Sequence, residues 1–173
     1  MSAKIQRLLS LILLFFIFVF HFNYVKFEYI NTQLLKGNLS DEYISSFHKK
    51  FPYERPVEMT ITTLFNSGVR DCSLLEKLTN SLLEINPKNY TAYYIKGVCA
   101  ELAGEFSQGV SYLNRAQKNN PYNPDILYAL AVLKFKSGDY SGSKDAVVLY
   151  KEISKDLSRL SPLEEALDSI SDD

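Results

Sequence analysis

The sequence predicts an all-α chain: one N-terminal transmembrane helix, then a stack of antiparallel helix pairs. Two observations carry this. Leu8 to Phe20, LLSLILLFFIFVF, is apolar except for Ser10. Further on, Gly104-Glu105-Phe106 returns as Gly138-Asp139-Tyr140, and Asn86-Pro87 returns as Asn120-Pro121, both at an offset of 34 residues. A fixed period of that length is a supersecondary unit that buries its apolar face by stacking on its neighbours.

The first element is the apolar run. Thirteen helical residues rise only about 20 Å, short of a hydrocarbon core of about 30 Å. Extending the run from Ile5 to Val25 gives 21 residues, which suffices. Gln6, Arg7, His21 and Asn23 then sit near the interfaces, where long polar side chains reach water. Tyr24 and Phe27 supply an aromatic edge. A cleaved signal peptide is the rival reading, but the flank HFNYVKFEYI offers no small-x-small cleavage site, so an anchor leads. Lys4 and Arg7 precede the span, which places the N-terminus in the cytoplasm and the bulk of the chain outside, periplasmic in a bacterium.

Residues 26–55 read as a helical linker or degenerate half-repeat, whose front half continues the anchor helix. Gly37 makes its turn, Ser40 caps a second helix and Pro52 ends it. The repeats occupy 56–160. In the first, Thr60, Thr62 and Thr63 weaken a helix over 57–67. Leu74, Leu75, Leu78, Leu82 and Leu83 mark a firmer one over 73–85. Gly68 and Asp71 hold the turn in shifted places, so this repeat is divergent. The next pair spans 91–103 and 106–118, with Gly104 at the turn and Asn119-Asn120-Pro121 closing it. The last pair spans 125–137 and 140–153. Residues 161–173 form a capping helix and acidic tail: Ser161-Pro162-Leu163-Glu164 reads as a capping box with Pro at the first helical position. Leu163, Ala166, Leu167 and Ile170 give that helix one apolar face.

These residues resemble the tetratricopeptide repeat (TPR) family, in a membrane-anchored, bacterial-envelope form. One repeat supplies Tyr93 at the large position, Gly97, Gly109 and Ala116 at the small ones, then Pro121. The next supplies Leu127, Ala131 and Ser143, but Tyr150 stands where a small residue belongs, so its far end should pack differently. The resemblance implies a TPR-like right-handed superhelix of the antiparallel helix pairs, and binding of a protein or peptide. Carried over residue by residue, it places Tyr94, Val98, Glu101 and Leu102 of one inner helix, and Tyr128, Val132 and Phe135 of the next, along a concave groove. Thr91, Asp125 and Lys136 share those faces. The groove lacks the Lys, Asn and Arg of the carboxylate clamp found in chaperone co-factors. Packing of the same apolar residues against a neighbouring helix is the other reading.

Little else suggests chemistry. With 19 Lys+Arg against 20 Asp+Glu and no basic stripe, nucleic acid is not expected as a partner. His21 falls at the anchor's end and His48 in the last turn of a short helix. No metal-ligating, phosphate-binding or nucleophile motif is present, so neither an enzyme nor a cofactor is expected. Cys72 and Cys99 fall on neighbouring antiparallel helices, within about 6 Å of the same level. A disulfide between them is one reading, two small buried thiols the other. The leading function is a membrane-anchored scaffold or adaptor mediating protein–protein interaction outside the cytoplasmic membrane. The alternative rests on Phe51-Pro52-Tyr53 and Pro56 after a membrane helix, a pattern similar to the periplasmic tails of O-antigen ligases and polymerases; the chain would then be an accessory of such a system.

Overall fold

Helix-forming apolar sequence at the N-terminus and the 34-residue plan behind it yield two units, Met1–Tyr43 and Ile44–Asp173. The computed structural model describes residues 3–36, 44, 49 and 54–171. The features expected at Gly37, Ser40, His48 and Pro52 lie outside them.

In the first unit, α1 runs unbroken from Ala3 to Leu35. Within it Ser10–Ile30, 21 residues of mean hydropathy 1.8, is long and apolar enough to cross a membrane. Every residue from Leu11 to Val19 is a large apolar side chain that is at least one-third exposed.

The second unit holds α2 (Glu54–Asn66), α3 (Cys72–Ile85), α4 (Tyr90–Leu102), α5 (Phe106–Asn119), α6 (Pro124–Lys136), α7 (Tyr140–Ile153) and α8 (Ser161–Ser171). From α2 to α7 each helix packs on its chain neighbours. In addition α2 touches α4 and α4 touches α6, so the first helices of successive pairs line one side of the stack. The starts of α4 and α6 are 34 residues apart, while those of α2 and α4 are 36 apart. The two extra residues lie in the 67–71 connection, which the sequence marks as displaced. Gly68, Gly104 and Gly138 end the first helix of each pair with φ of 85°, 76° and 84°. L side chains are strained there, and glycine is not. Asp71, Asn89, Asn123 and Asp139 each accept a backbone N–H of the helix they open.

Small residues set how closely the pairs close. A Cβ on Gly97 would lie 2.7 Å from Leu113 Cγ, and Gly109 faces the Gly97 carbonyl across the α4–α5 contact. One period later Ala131 and Ser143 are fully buried, and Ser143 Oγ donates to the Ala131 carbonyl at 2.7 Å. Leu113, Ile126, Leu127, Leu130 and Leu133 fill the core between the pairs. In the divergent pair, Val57, Ile61, Leu64, Leu75, Leu78 and Leu82 are buried. The threonines do not prevent α2, because Thr60 is buried and its hydroxyl donates to the Pro56 carbonyl at 3.0 Å. Tertiary burial here overrides a weak propensity.

Tyr150 is the far end that packs differently. It is 2 % exposed, and its hydroxyl donates to the Asp156 carbonyl at 2.9 Å, turning the chain through 154–160. Leu160 from the turn, with Leu163 and Leu167 from α8, then joins the core. The Glu164 carboxylate, read as half of a capping box, pairs with Lys151 of α7.

Candidate partner-binding face

The side of the stack lined by α2, α4 and α6 carries the residues that the repeat plan directs inward. Tyr94, Val98 and Glu101 on α4, with Tyr128, Val132 and Phe135 on α6, are all half-buried. Tyr94, Tyr128, Val132 and Phe135 rest one side on the core beneath. Leu102, at the end of α4, is 60 % exposed and stands apart from that floor. Spacings of three and four residues keep each helix's contribution on one face.

Polar links cross this face at roughly one repeat's separation. Glu54 Oε1 accepts from Asn86 and Asn89 at 2.5 and 2.9 Å, and Glu58 Oε1 accepts from Thr91 Oγ1 at 2.7 Å. Lys136 Nζ meets Glu101 at 2.7 Å, and Arg159 meets Asp125 at 2.7 Å. Exposed pairs of this kind contribute about 0–1 kcal/mol each, so they fix side-chain positions more than they stabilise the stack.

Several contributors were not foreseen. The Arg159 guanidinium lies 4.3 Å from the Tyr128 ring centre. At the other end, Phe65 meets Tyr94 edge-on at 6.0 Å, and Arg70 lies 4.4 Å over the Phe65 ring. Arg70 also donates to the Phe65 and Val69 carbonyls at 2.7 and 3.0 Å, tying down the end of α2. Arg159 could have been found, because it stands 34 residues after Asp125. Nothing in the local sequence marks Arg70. Burial, then Asp125 and Glu101, raise the Tyr94 hydroxyl above the usual tyrosine value, against the opposing pull of Arg159 and Arg70. Tyr94 therefore stays a neutral donor and acceptor throughout the physiological range.

The pattern of alternating helices, glycine turns and small-residue contacts is now complete. The stacked antiparallel helix pairs resemble TPR repeats. A thermophilic TPR protein of Thermus thermophilus is similar in structure, with 17 % identity and a TM-score of 0.47, over 86 % of this chain and 94 % of that one. At that distance the fold statement rests on the helix pairs themselves. No protein-family model and no curated protein matches the sequence.

Away from this face, Cys72 at the start of α3 and Cys99 on α4 form a disulfide, with Cα atoms 5.5 Å apart. It joins the divergent pair to the next one. Among the described residues, no group of three or more His, Cys, Asp and Glu side chains could hold a metal ion. The charged groups of the inner face are engaged with neighbouring helices, an arrangement suited to holding a surface in shape rather than to moving protons.

Proposed function

We propose that this chain is a membrane-anchored scaffold whose TPR-like region holds a protein or peptide partner on its inner face. The observation that carries this is the half-buried floor of Tyr94, Val98, Tyr128, Val132 and Phe135, shaped by ion pairs at its margins. Aromatic side chains seated this way give a partner large contact area at little ordering cost. Residues 5–25 supply the anchor. The N-terminus is cytoplasmic, following Lys4 and Arg7. The Cys72–Cys99 disulfide supports a repeat region outside the cytoplasm, where such bonds persist. We divide the chain into anchor (1–25), linker (26–55), repeats (56–160) and cap (161–173). The polysaccharide-ligase alternative rests on residues that lie mostly outside the described part, and it gains no support from the face.

A photo-crosslinking amino acid at Val132, in the full chain in its native membrane, tests the reading. It should give discrete adducts with a second protein, while the same group at Ser111 on α5 should not. Equal labelling at both positions, or none at Val132, would contradict an inner-face site.

A further inference from the structure

Cys72 is the first residue of α3, and Cys99 lies in the last turn of α4. These two helices are antiparallel and the chain joins them through 86–89, so the disulfide closes the open end of their hairpin. The polar links from α2 fall at the joined end: Glu54 accepts from Asn86 and Asn89, and Glu58 from Thr91. At the open end stand the disulfide, the Lys96–Glu76 pair at 3.7 Å and the 67–71 connection, whose Arg70 lies over Phe65.

The bond is not shielded. Both cysteines are half-buried, and both line a hollow of about 290 Å³ walled by Glu76 of α3, Lys96 of α4, and Gln108 and Tyr112 of α5. A disulfide breaks when a thiolate attacks one sulfur and the other leaves, and the sulfur whose thiolate is better stabilised leaves faster. The charges differ across this bond. Lys96 stands one turn before Cys99, with its side chain 10 % exposed and lining the hollow. Glu76 stands one turn after Cys72, and Asp71 precedes it. The N-terminus of α3 carries about half a positive charge. The Asp71 carboxylate, which accepts the Leu74 N–H at 3.1 Å, offsets that charge. Cys99 is therefore the better leaving thiolate, and Cys72 is the sulfur attacked. Asp71, Glu76 and Glu105 outnumber Lys96 around the hollow, which disfavours an anionic thiol.

We propose that the Cys72–Cys99 disulfide is a thiol-exchange site for a dithiol without negative charge, and that opening it releases the 67–71 connection from α4. One thiolate of the dithiol bonds to Cys72 Sγ. The electron pair of the broken S–S bond leaves on Cys99 Sγ, which takes a proton. The second thiolate of the dithiol then attacks the first dithiol sulfur and displaces Cys72 Sγ, which is protonated in turn. The dithiol is oxidised to a disulfide, and two electrons and two protons pass to Cys72 and Cys99.

The test uses the oxidised full chain in its membranes, with cysteamine and mercaptoethanesulfonate as cationic and anionic monothiol probes at equal thiolate concentration. Alkylation stops the exchange early, and mass spectrometry locates the groups. We expect the probe on Cys72 and the alkyl group on Cys99, at a rate proportional to probe concentration. Cysteamine should react about threefold faster than mercaptoethanesulfonate. Lys96→Met should slow the exchange about threefold. Full reduction by dithiothreitol should raise hydrogen exchange over 67–76 and leave α6 and α7 unchanged. Adducts chiefly on Cys99, an anionic probe as fast as the cationic one, or no slowing in Lys96→Met would each overturn the proposal. So would a rate that levels off as probe is added, because attack would then wait on unfolding. Unchanged hydrogen exchange over 67–76 in the reduced chain would overturn it too.

Discussion

The pairs α4–α5 and α6–α7 follow one 34-residue plan and end differently. α5 carries Ala116 in its last turns, fully buried, and the chain passes through Pro121 into another inner helix. α7 carries Tyr150 at the corresponding place, and its ring and hydroxyl hold the 154–160 turn. The next helix accordingly opens at Ser161, three residues later than the 158 that another period would give. A small residue there lets the array continue; a large one fills the space and closes it. Here α8 covers the apolar face of the last pair with Leu163 and Leu167, as a capping element does in a repeat stack.

Tyr150→Ala breaks the comparison most severely. It deletes a buried ring and its hydrogen bond, and we expect a loss of about 3–5 kcal/mol, as for other large aromatic truncations. Urea melts of the repeat region would show it, with raised hydrogen exchange in α8. Little change would mean that Tyr150 does not close the array.

The disulfide comes next. It bridges the divergent pair and α4 across 27 residues of sequence, and its removal should cost about 2–4 kcal/mol. Cys72→Ser with Cys99→Ser, compared with the oxidised parent by thermal melting, gives that value. Equal midpoints would leave the first pair held by packing alone.

Gly97→Leu should cost about 1–3 kcal/mol by overpacking, since even a Cβ there meets Leu113. A change within about 0.5 kcal/mol, the range of surface sites, would place Gly97 outside the α4–α5 contact.

The smallest effect sharpens the comparison. Asp139 opens α7 by accepting the Gly142 N–H at 2.9 Å, whereas Glu105, its counterpart before α5, makes no side-chain cap. Asp139→Ala should cost about 1 kcal/mol and Glu105→Ala nearly nothing. Equal losses would show that the two turns are capped alike.

Much of this architecture was legible because glycine and proline punctuate it. The edges of α4 to α7 fall within one residue of the bounds read from the Gly104, Gly138 and Pro121 signals. The divergent pair was less so. Its threonines weaken the signal for α2, which starts at Glu54, three residues before the 57 expected, while the turn that Gly68 and Asp71 mark as shifted is longer by two residues. The resemblance placed Tyr94, Val98, Tyr128 and Val132 on one side of the first helices, and they lie half-buried on α4 and α6. The margins of that face were less legible: Arg159 stands one period after Asp125, but Arg70 comes from a connection, where tertiary contact alone decides what a long side chain reaches. Tyr150 could be flagged from sequence as out of pattern, but its partner at Asp156 could not.

The central claim is that the inner face is a surface held for a partner and not merely the side of a core. Tyr128→Ala and Phe135→Ala, each assayed for melting and for retention of the protein crosslinked at Val132, test it most directly. The account predicts that both lose the partner about tenfold or more while most of the stability remains, as for truncated aromatic anchors. If both instead unfold the repeats and bind normally wherever they are folded, the rings belong to the core and the claim fails.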